Sequence, residues 1–281
     1  MLLSAIPLKA SANWWYCYTD FRADTKTLTW KANKRNLQTI RMDIRFDRRT
    51  DECVTELLVF TDNDPNIRLY SSSDSVGSEL VNKQRQIYPQ YVINGRIAYV
   101  IPVYRDKKIR VFAELTTNEA LIAGDYQGHV SIIASSYGYA ASREVVATFN
   151  MEVPSILSVD VQTRGNSAVY GNNGYYHVDL GRMYQGKRID WNIEIYSNAH
   201  YDISVASEYK GLRHRGSGEI VHYDVIMDGV RFGAASGYRR RYTNYNPLTD
   251  TTIGFAVEVG NTDFKPAGKY VDYLMVTVSA R

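Results

Sequence analysis

The 281-residue sequence has little of what would place it in a bilayer, on nucleic acid or around an active site. No apolar run approaches the ~20 residues that a membrane-crossing helix needs, so the mature chain is expected to be soluble. The formal net charge is only +3, too small to imply nucleic acid as the partner. Helical periodicity is scarce. The five histidines, His129, His177, His200, His214 and His222, show no HExxH and no paired i, i+4 spacing. Arg215-Gly216-Ser217-Gly218 lacks the strand–Ser–helix surroundings of a nucleophile elbow. Gly171-Asn172-Asn173-Gly174 reads as a turn. Asp62-Asn63-Asp64-Pro65-Asn66 lacks the sixth-position Gly and twelfth-position Glu of a calcium loop and reads as an acidic turn. No catalytic residue, metal ligand or cofactor is assigned, and the chain is not expected to be an enzyme. A polysaccharide hydrolase with converging carboxylates in a cleft is the one enzyme class that motif scanning leaves open.

Cysteine occurs twice, at Cys17 and Cys53. Neither has a second Cys or a His at ligand spacing, which argues against a metal. In an exported domain the pair suits one disulfide, worth ~3–4 kcal/mol on the chain-entropy model. Two free buried thiols in a cytosolic protein are the alternative. Residues 1–12 (MLLSAIPLKASA) end in a small-residue Ala-Ser-Ala after a short apolar stretch. They read as the remnant of a secretory signal peptide, with a plain first strand as the alternative.

What is abundant is tyrosine, at 23 residues, together with Val, Thr and Ile. These residues fit half-buried pleated surfaces and point to β-structure. Runs of period-2 alternation bear this out along the second half. Ile189, Trp191, Ile193 and Ile195 share one face of Arg188–Ser197, and Ile203 and Val205 share one face of Tyr201–Ser207. Val221, Tyr223, Val225 and Met227 alternate, as do Leu274, Val276 and Val278. Leu28–Trp30, Thr39–Phe46, Val54–Phe60 and Ile97–Val103 read as strands in the first half. Alternation at this spacing, broken by Asn, Gly and Asp, predicts antiparallel sandwiches.

A duplication divides the chain. Ala123-Gly124-Asp125-Tyr126 recurs as Ala267-Gly268-Lys269-Tyr270, and the same offset aligns Glu114 with Glu258, Val130 with Leu274, Ile132 with Val276 and Ser135 with Ser279. So long a period means two homologous domains. The Tyr after each Gly is placed to bury its ring and bond the backbone, as in the tyrosine corner of Ig-like sandwiches. With Pro154-Ser155 as the boundary, the expected organisation is a signal remnant over 1–12, an N-terminal β-sandwich over 13–154 and a C-terminal one over 155–281. The fold class is all-β, two Ig-like antiparallel sandwiches in tandem. Six strands are legible in the second half, over residues 174–180, 188–197, 201–207, 221–227, 253–259 and 271–278, where such a sandwich has about seven. Arg143–Val153 can close the first domain, whereas only Arg281 follows the last strand of the second. The C-terminal sandwich is therefore expected to lack its final strand and to expose an apolar groove, lined by Leu274, Val276, Val278, Ile193 and Ile195.

The second half resembles the subunits of archaic chaperone–usher pili and the spore coat U-like family. The likeness rests on Val178-Asp179-Leu180-Gly181, residues 193–198 (IEIYSN), 203–212 (ISVASEYKGL), His222-Tyr223-Asp224-Val225 with Asp228-Gly229, and 266–278 (PAGKYVDYLMVTV). It implies a two-domain tip adhesin without a donor arm of its own. The C-terminal groove would take first a strand of a periplasmic chaperone and then the donor segment of the next pilus subunit, delivered through an outer-membrane usher. It implies export through the periplasm to the cell surface, with the N-terminal domain meeting a receptor or an abiotic surface. A secreted coat or matrix subunit that polymerises without adhesion is the alternative. Two surface segments are candidates for binding. One is the basic aromatic run Tyr238-Arg239-Arg240-Arg241-Tyr242, expected in a loop. The other is the aromatic start at Trp14 and Trp15.

Overall fold

The computed structural model describes residues 19–31, 37–47, 54–61, 64–104, 107–117, 120–136, 139–162, 168–243 and 249–281. The segment 1–12, Trp14, Trp15, Cys17 and Cys53 lie outside these residues. The chain separates into two compact units, residues 1–154 and 155–281.

In the first unit the strands are β1 (Phe21–Thr25), β2 (Leu28–Thr29), β3 (Thr39–Phe46), β4 (Glu56–Phe60), β5 (Ile67–Tyr70) and β6 (Ser75–Val81). They continue with β7 (Gln90–Ile93), β8 (Arg96–Pro102), β9 (Lys108–Leu115), β10 (Gly124–Ser136), β11 (Tyr139–Ala140) and β12 (Val145–Val153). One layer runs β1-β3-β9-β6-β5 and the other β7-β8-β4-β10, with β12 completing it along β10. The long β10 belongs to both, touching β5 through Gln127 opposite Tyr70 before it pairs with β4 over Ser131–Ser135. Alternation explains the core between the layers. Ile40, Met42, Ile44 and Phe46 of β3 point inward with Val111, Ala113 and Leu115 of β9, against Val130, Ile132 and Ala134 of β10. From β12, Ala147, Phe149, Met151 and Val153 enter the same core, all essentially inaccessible.

The second unit carries β13 (Leu157–Gln162), β14 (Val169–Asn172), β15 (Tyr175–Val178), β16 (Arg188–Ser197), β17 (Tyr201–Ser207), β18 (Leu212–His214) and β19 (Ile220–Val221). Then come β20 (Tyr223–Met227), β21 (Val230–Gly233), β22 (Tyr238–Tyr242), β23 (Thr249–Val259), β24 (Tyr270–Val271) and β25 (Leu274–Ala280). One layer is β13-β16-β23-β20-β21 and the other β22-β17-β25. A separate hairpin, β14–β15, turns at Asn173 and Gly174, whose φ angles of 50° and 82° suit a tight two-residue turn. The structure also corrects the reading of residues 238–242. This run is a strand paired along β17 rather than a loop.

The two units repeat one plan. Strand by strand, β1-β3-β9-β6 matches β13-β16-β23-β20, β8-β4-β10 matches β22-β17-β25, and β5, beside β6 and β10, matches β18, beside β19 and β24. The Tyr126 hydroxyl donates to the Ile122 carbonyl at 2.9 Å and the Tyr270 hydroxyl to the Pro266 carbonyl at 2.7 Å, each four residues back. The glycines before them, Gly124 and Gly268, have φ of 150° and 154°, a region that side-chain-bearing residues avoid. Both halves therefore turn the corner by the same device.

Candidate functional site

Where β12 runs along β10 in the first unit, the described residues of the second unit hold no counterpart. β12 pairs with β10 from Gly124 opposite Val153 to Ile132 opposite Val145. β25 pairs on one side with β17, from Ser207 opposite Leu274 to Tyr201 opposite Ala280. Among the described residues no strand pairs with its other side. Alternate N–H and C=O groups of an antiparallel strand face each side, so this edge offers a row of backbone donors and acceptors.

Side chains record the same gap. Val130, Ile132 and Ala134 of β10 are fully buried, but the corresponding Leu274, Val276 and Val278 of β25 are only half-buried against the core. On the facing layer β13 is an edge strand, paired among the described residues with β16 alone. Leu157, Val159 and Val161 point inward there, in register with Ser197, Ile195 and Ile193. Val159 is nevertheless 43% exposed. Ile193 and Ile195 are buried in the core beneath this stripe, so the residues open to solvent are Val159 on one wall and the stripe Leu274, Val276 and Val278 on the other. Met275, on the outer face of β25, is 67% exposed. The β13 wall escaped the sequence reading, although the alternation of Leu157, Val159 and Val161 was there to be found just past Pro154.

The polar anchor at the start of this edge is Asp272. Its carboxylate accepts from the Tyr223 hydroxyl at 2.8 Å, from the Ser207 hydroxyl, and from the backbone N–H groups of Tyr209 and Tyr273. Burial first, and then the Asp272 carboxylate, push the Tyr223 hydroxyl far above the ordinary phenol range. These bonds hold the break between β24 and β25 where the first unit has one continuous strand.

Strand pairing splits the basic run by face. Tyr238, Arg240 and Tyr242 share the inner face: Tyr242 stacks on Tyr201 at 5.3 Å, Tyr238 on Phe232 at 4.6 Å, and Arg240 bonds Asp228 at 2.8 Å. Arg239 and Arg241 point outward, 70% and 64% exposed at their side chains. Both lean on Asp202 of β17, Arg239 at 2.6 Å and Arg241 at 3.6 Å, with Arg281 at 3.8 Å. Asp202 is almost completely buried, and the Arg239 guanidinium holds its carboxyl below the usual carboxylate range.

The first unit has an open cleft of about 490 Å³, walled by Tyr70 and Ser71 on one side and Asp125, Gln127, Asn150 and Glu152 on the other. Asp125 faces Glu152 across the β10–β12 ladder, and the Gln127 amide donates to Asn150 at 3.2 Å. Among the described residues no group of three or more His, Cys, Asp or Glu is placed to hold a metal ion. No helix of the described residues is long and apolar enough to cross a membrane.

No protein-family profile matches the sequence, and no curated protein matches it. Several solved structures are similar. One is the CsuC–CsuE chaperone–tip adhesion subunit pre-assembly complex of archaic chaperone–usher Csu pili of Acinetobacter baumannii, with 10% identity over 90% of this chain and 96% of that one, at a TM-score of 0.36. A second is CfaE, the adhesive subunit of CFA/I fimbria of enterotoxigenic Escherichia coli, with 9% identity over 90% and 91% and a TM-score of 0.39. A third is AggA, the major subunit of aggregative adherence fimbriae type I of Escherichia coli, with 12% identity over 48% of this chain and 95% of that one, at a TM-score of 0.31.

Proposed function

We propose that this chain is a cell-surface adhesin carried at the tip of a chaperone–usher pilus, and that its C-terminal unit joins the fibre by accepting an extended segment of a partner along β25. One observation carries the reading. The two units share a strand plan, and the place that β12 fills in the first is vacant among the described residues of the second. β12 is then a template for the occupant. It runs antiparallel to its neighbour and sends Ala147, Phe149, Met151 and Val153 into the core at every second position. An occupant of β25 would bury Val159, Leu274, Val276 and Val278, each aliphatic side chain contributing up to about 1.5–3 kcal/mol. In this reading the groove holds a periplasmic chaperone strand first and the next subunit's segment afterwards. The first unit, with its cleft beside Tyr70, is the receptor-facing half, and no catalysis is involved.

The test appends to Arg281, through a short flexible turn, an alternating apolar strand patterned on β12. Hydrogen exchange at residues 274–280 should slow by orders of magnitude, and the melting temperature of the second unit should rise by about 10 °C or more. Unchanged exchange along β25 would sink the proposal. Deleting the first unit separates adhesin from structural subunit: the adhesin reading expects fibres that no longer attach, the coat reading expects fewer fibres.

A further inference from the structure

The outer face of the β22-β17-β25 sheet is a lattice set by register. Arg241, Asp202 and Ser279 lie in one cross-strand row, and Arg239, Ser204 and Thr277 in the next. Arg281 lies just beyond Ala280. Neighbouring positions are spaced ~5 Å across strands and ~7 Å along them. Three guanidiniums therefore share a single carboxylate, and among the described residues Asp202 is the one acid in ion-pair contact with any of them. The sharing is uneven. Arg239 donates one hydrogen bond at 2.6 Å, while Arg241 and Arg281 stand at 3.6 and 3.8 Å, within attraction but beyond a hydrogen bond. One oxygen of Asp202 has no hydrogen-bond donor. Each guanidinium offers five N–H donors in a planar fork, so most of this donor capacity faces solvent beside the hydroxyls of Ser204, Thr277 and Ser279.

We infer that this face binds an anionic polysaccharide, with Arg239, Arg241 and Arg281 gripping its sulfate, phosphate or carboxylate groups and the three hydroxyls meeting sugar hydroxyls. The buried Asp202 is a positioning residue. It draws the three cations together and compensates one of their three charges. Guanidinium forks match tetrahedral and planar oxyanions in bidentate fashion. A flat, regularly spaced face suits a repeating polymer. Single-stranded nucleic acid would want aromatic platforms for its bases, and no aromatic side chain stands in these two rows. The site is independent of the groove, because a segment added along β25 extends the sheet in its own plane and leaves this face open. Arg240, in the middle of the same basic run, takes no part. It is on the other face, paired with Asp228 and lying over the Tyr242 ring at 5.0 Å.

The experiment measures binding of the full chain to immobilised heparin, with neutral dextran as the control surface and salt raised from about 50 to about 300 mM. Heparin should bind, dextran should not, and affinity should fall steeply with salt. Arg239→Gln, Arg241→Gln and Arg281→Gln should each weaken binding about tenfold, with unchanged circular dichroism, whereas Arg240→Gln should leave it within about twofold. Equal losses for Arg240→Gln and Arg239→Gln would reduce the patch to undirected charge and overturn the assignment. So would competition by polyglutamate or oligothymidylate as effective as that by free heparin. Persistence of heparin binding in the triple variant would also overturn it. The salt-dependent readout is separate from exchange at residues 274–280, so this site and the groove can fail independently.

Discussion

Val159 on β13 and Ile195 on β16 are paired directly across the ladder and point to the same side of their sheet, yet Ile195 is fully buried and Val159 is 43% exposed. An inward-facing valine in that condition marks the place where a neighbour is missing, and the half-buried Leu274, Val276 and Val278 mark the facing wall.

The pair makes a contrast that unfolding can read. In the free chain Ile195→Ala should cost about 2–5 kcal/mol through the cavity it leaves, while Val159→Ala should cost well under about 1 kcal/mol. With an apolar strand appended along β25, the Val159→Ala cost should rise toward ~2 kcal/mol. Urea midpoints of the second unit in both forms check this, and an identical small cost in both would speak against a groove between β13 and β25.

In the first unit the same position is filled from within. Phe149 of β12 is completely buried. Phe149→Ala should destabilise that unit by about 3–5 kcal/mol and raise exchange along β10 at residues 124–132, leaving residues 201–207 unaffected.

The two corner glycines should respond unequally to alanine. Each has a φ that alanine resists, a strain of about 1–3 kcal/mol. A methyl on Gly124 meets nothing closer than Ser71 at 3.9 Å, but one on Gly268 overlaps the His214 ring. That ring is held by Ser217, whose backbone N–H donates to it at 2.9 Å. Gly268→Ala should therefore be the costlier change by calorimetry, and the double variant Gly268→Ala with His214→Ala should recover part of the difference.

Acid should find Asp43. Its carboxylate is nearly buried on β3 and meets Arg41 at 2.5 Å, Arg110 at 3.1 Å and Lys108 at 3.3 Å. The hydrogen bond from Arg41 is the largest cause that holds its carboxyl well below the usual range. A depressed carboxyl contributes stability above its unfolded value, near pH ~3.9, and loses it as pH falls toward the folded value. Asp43→Asn should lower first-unit stability at neutral pH by roughly 1–3 kcal/mol and flatten its decline between about pH 4.5 and 2. Parallel pH profiles for both proteins would contradict this role.

Much of the fold was legible in local pattern. Alternation placed Arg188–Ser197 and Tyr201–Ser207 with the bounds they have in the structure, and the repeated Ala-Gly-x-Tyr segment located both corners. It did so because a strand's two faces differ at every second residue, a property carried by the strand's own side chains. Leu157–Gln162, which alternates as clearly, went unread behind Pro154. Tyr238–Tyr242 read as a loop because three consecutive arginines between two tyrosines show no apolar alternation. Pairing with β17 was needed to turn Arg239 and Arg241 outward onto Asp202 and Arg240 inward onto Asp228. Sequence by itself determined the all-β class, the strands Arg188–Ser197 and Tyr201–Ser207, and the repeat of the chain. Arg143–Val153 was legible as the strand that closes the first unit, but tertiary structure alone decided its register along β10, from Gly124 to Ile132, with β25 bare among the described residues. Edge pairing joins residues far apart in the chain, and the exposure of Val159 depends on a neighbour that its own strand does not specify.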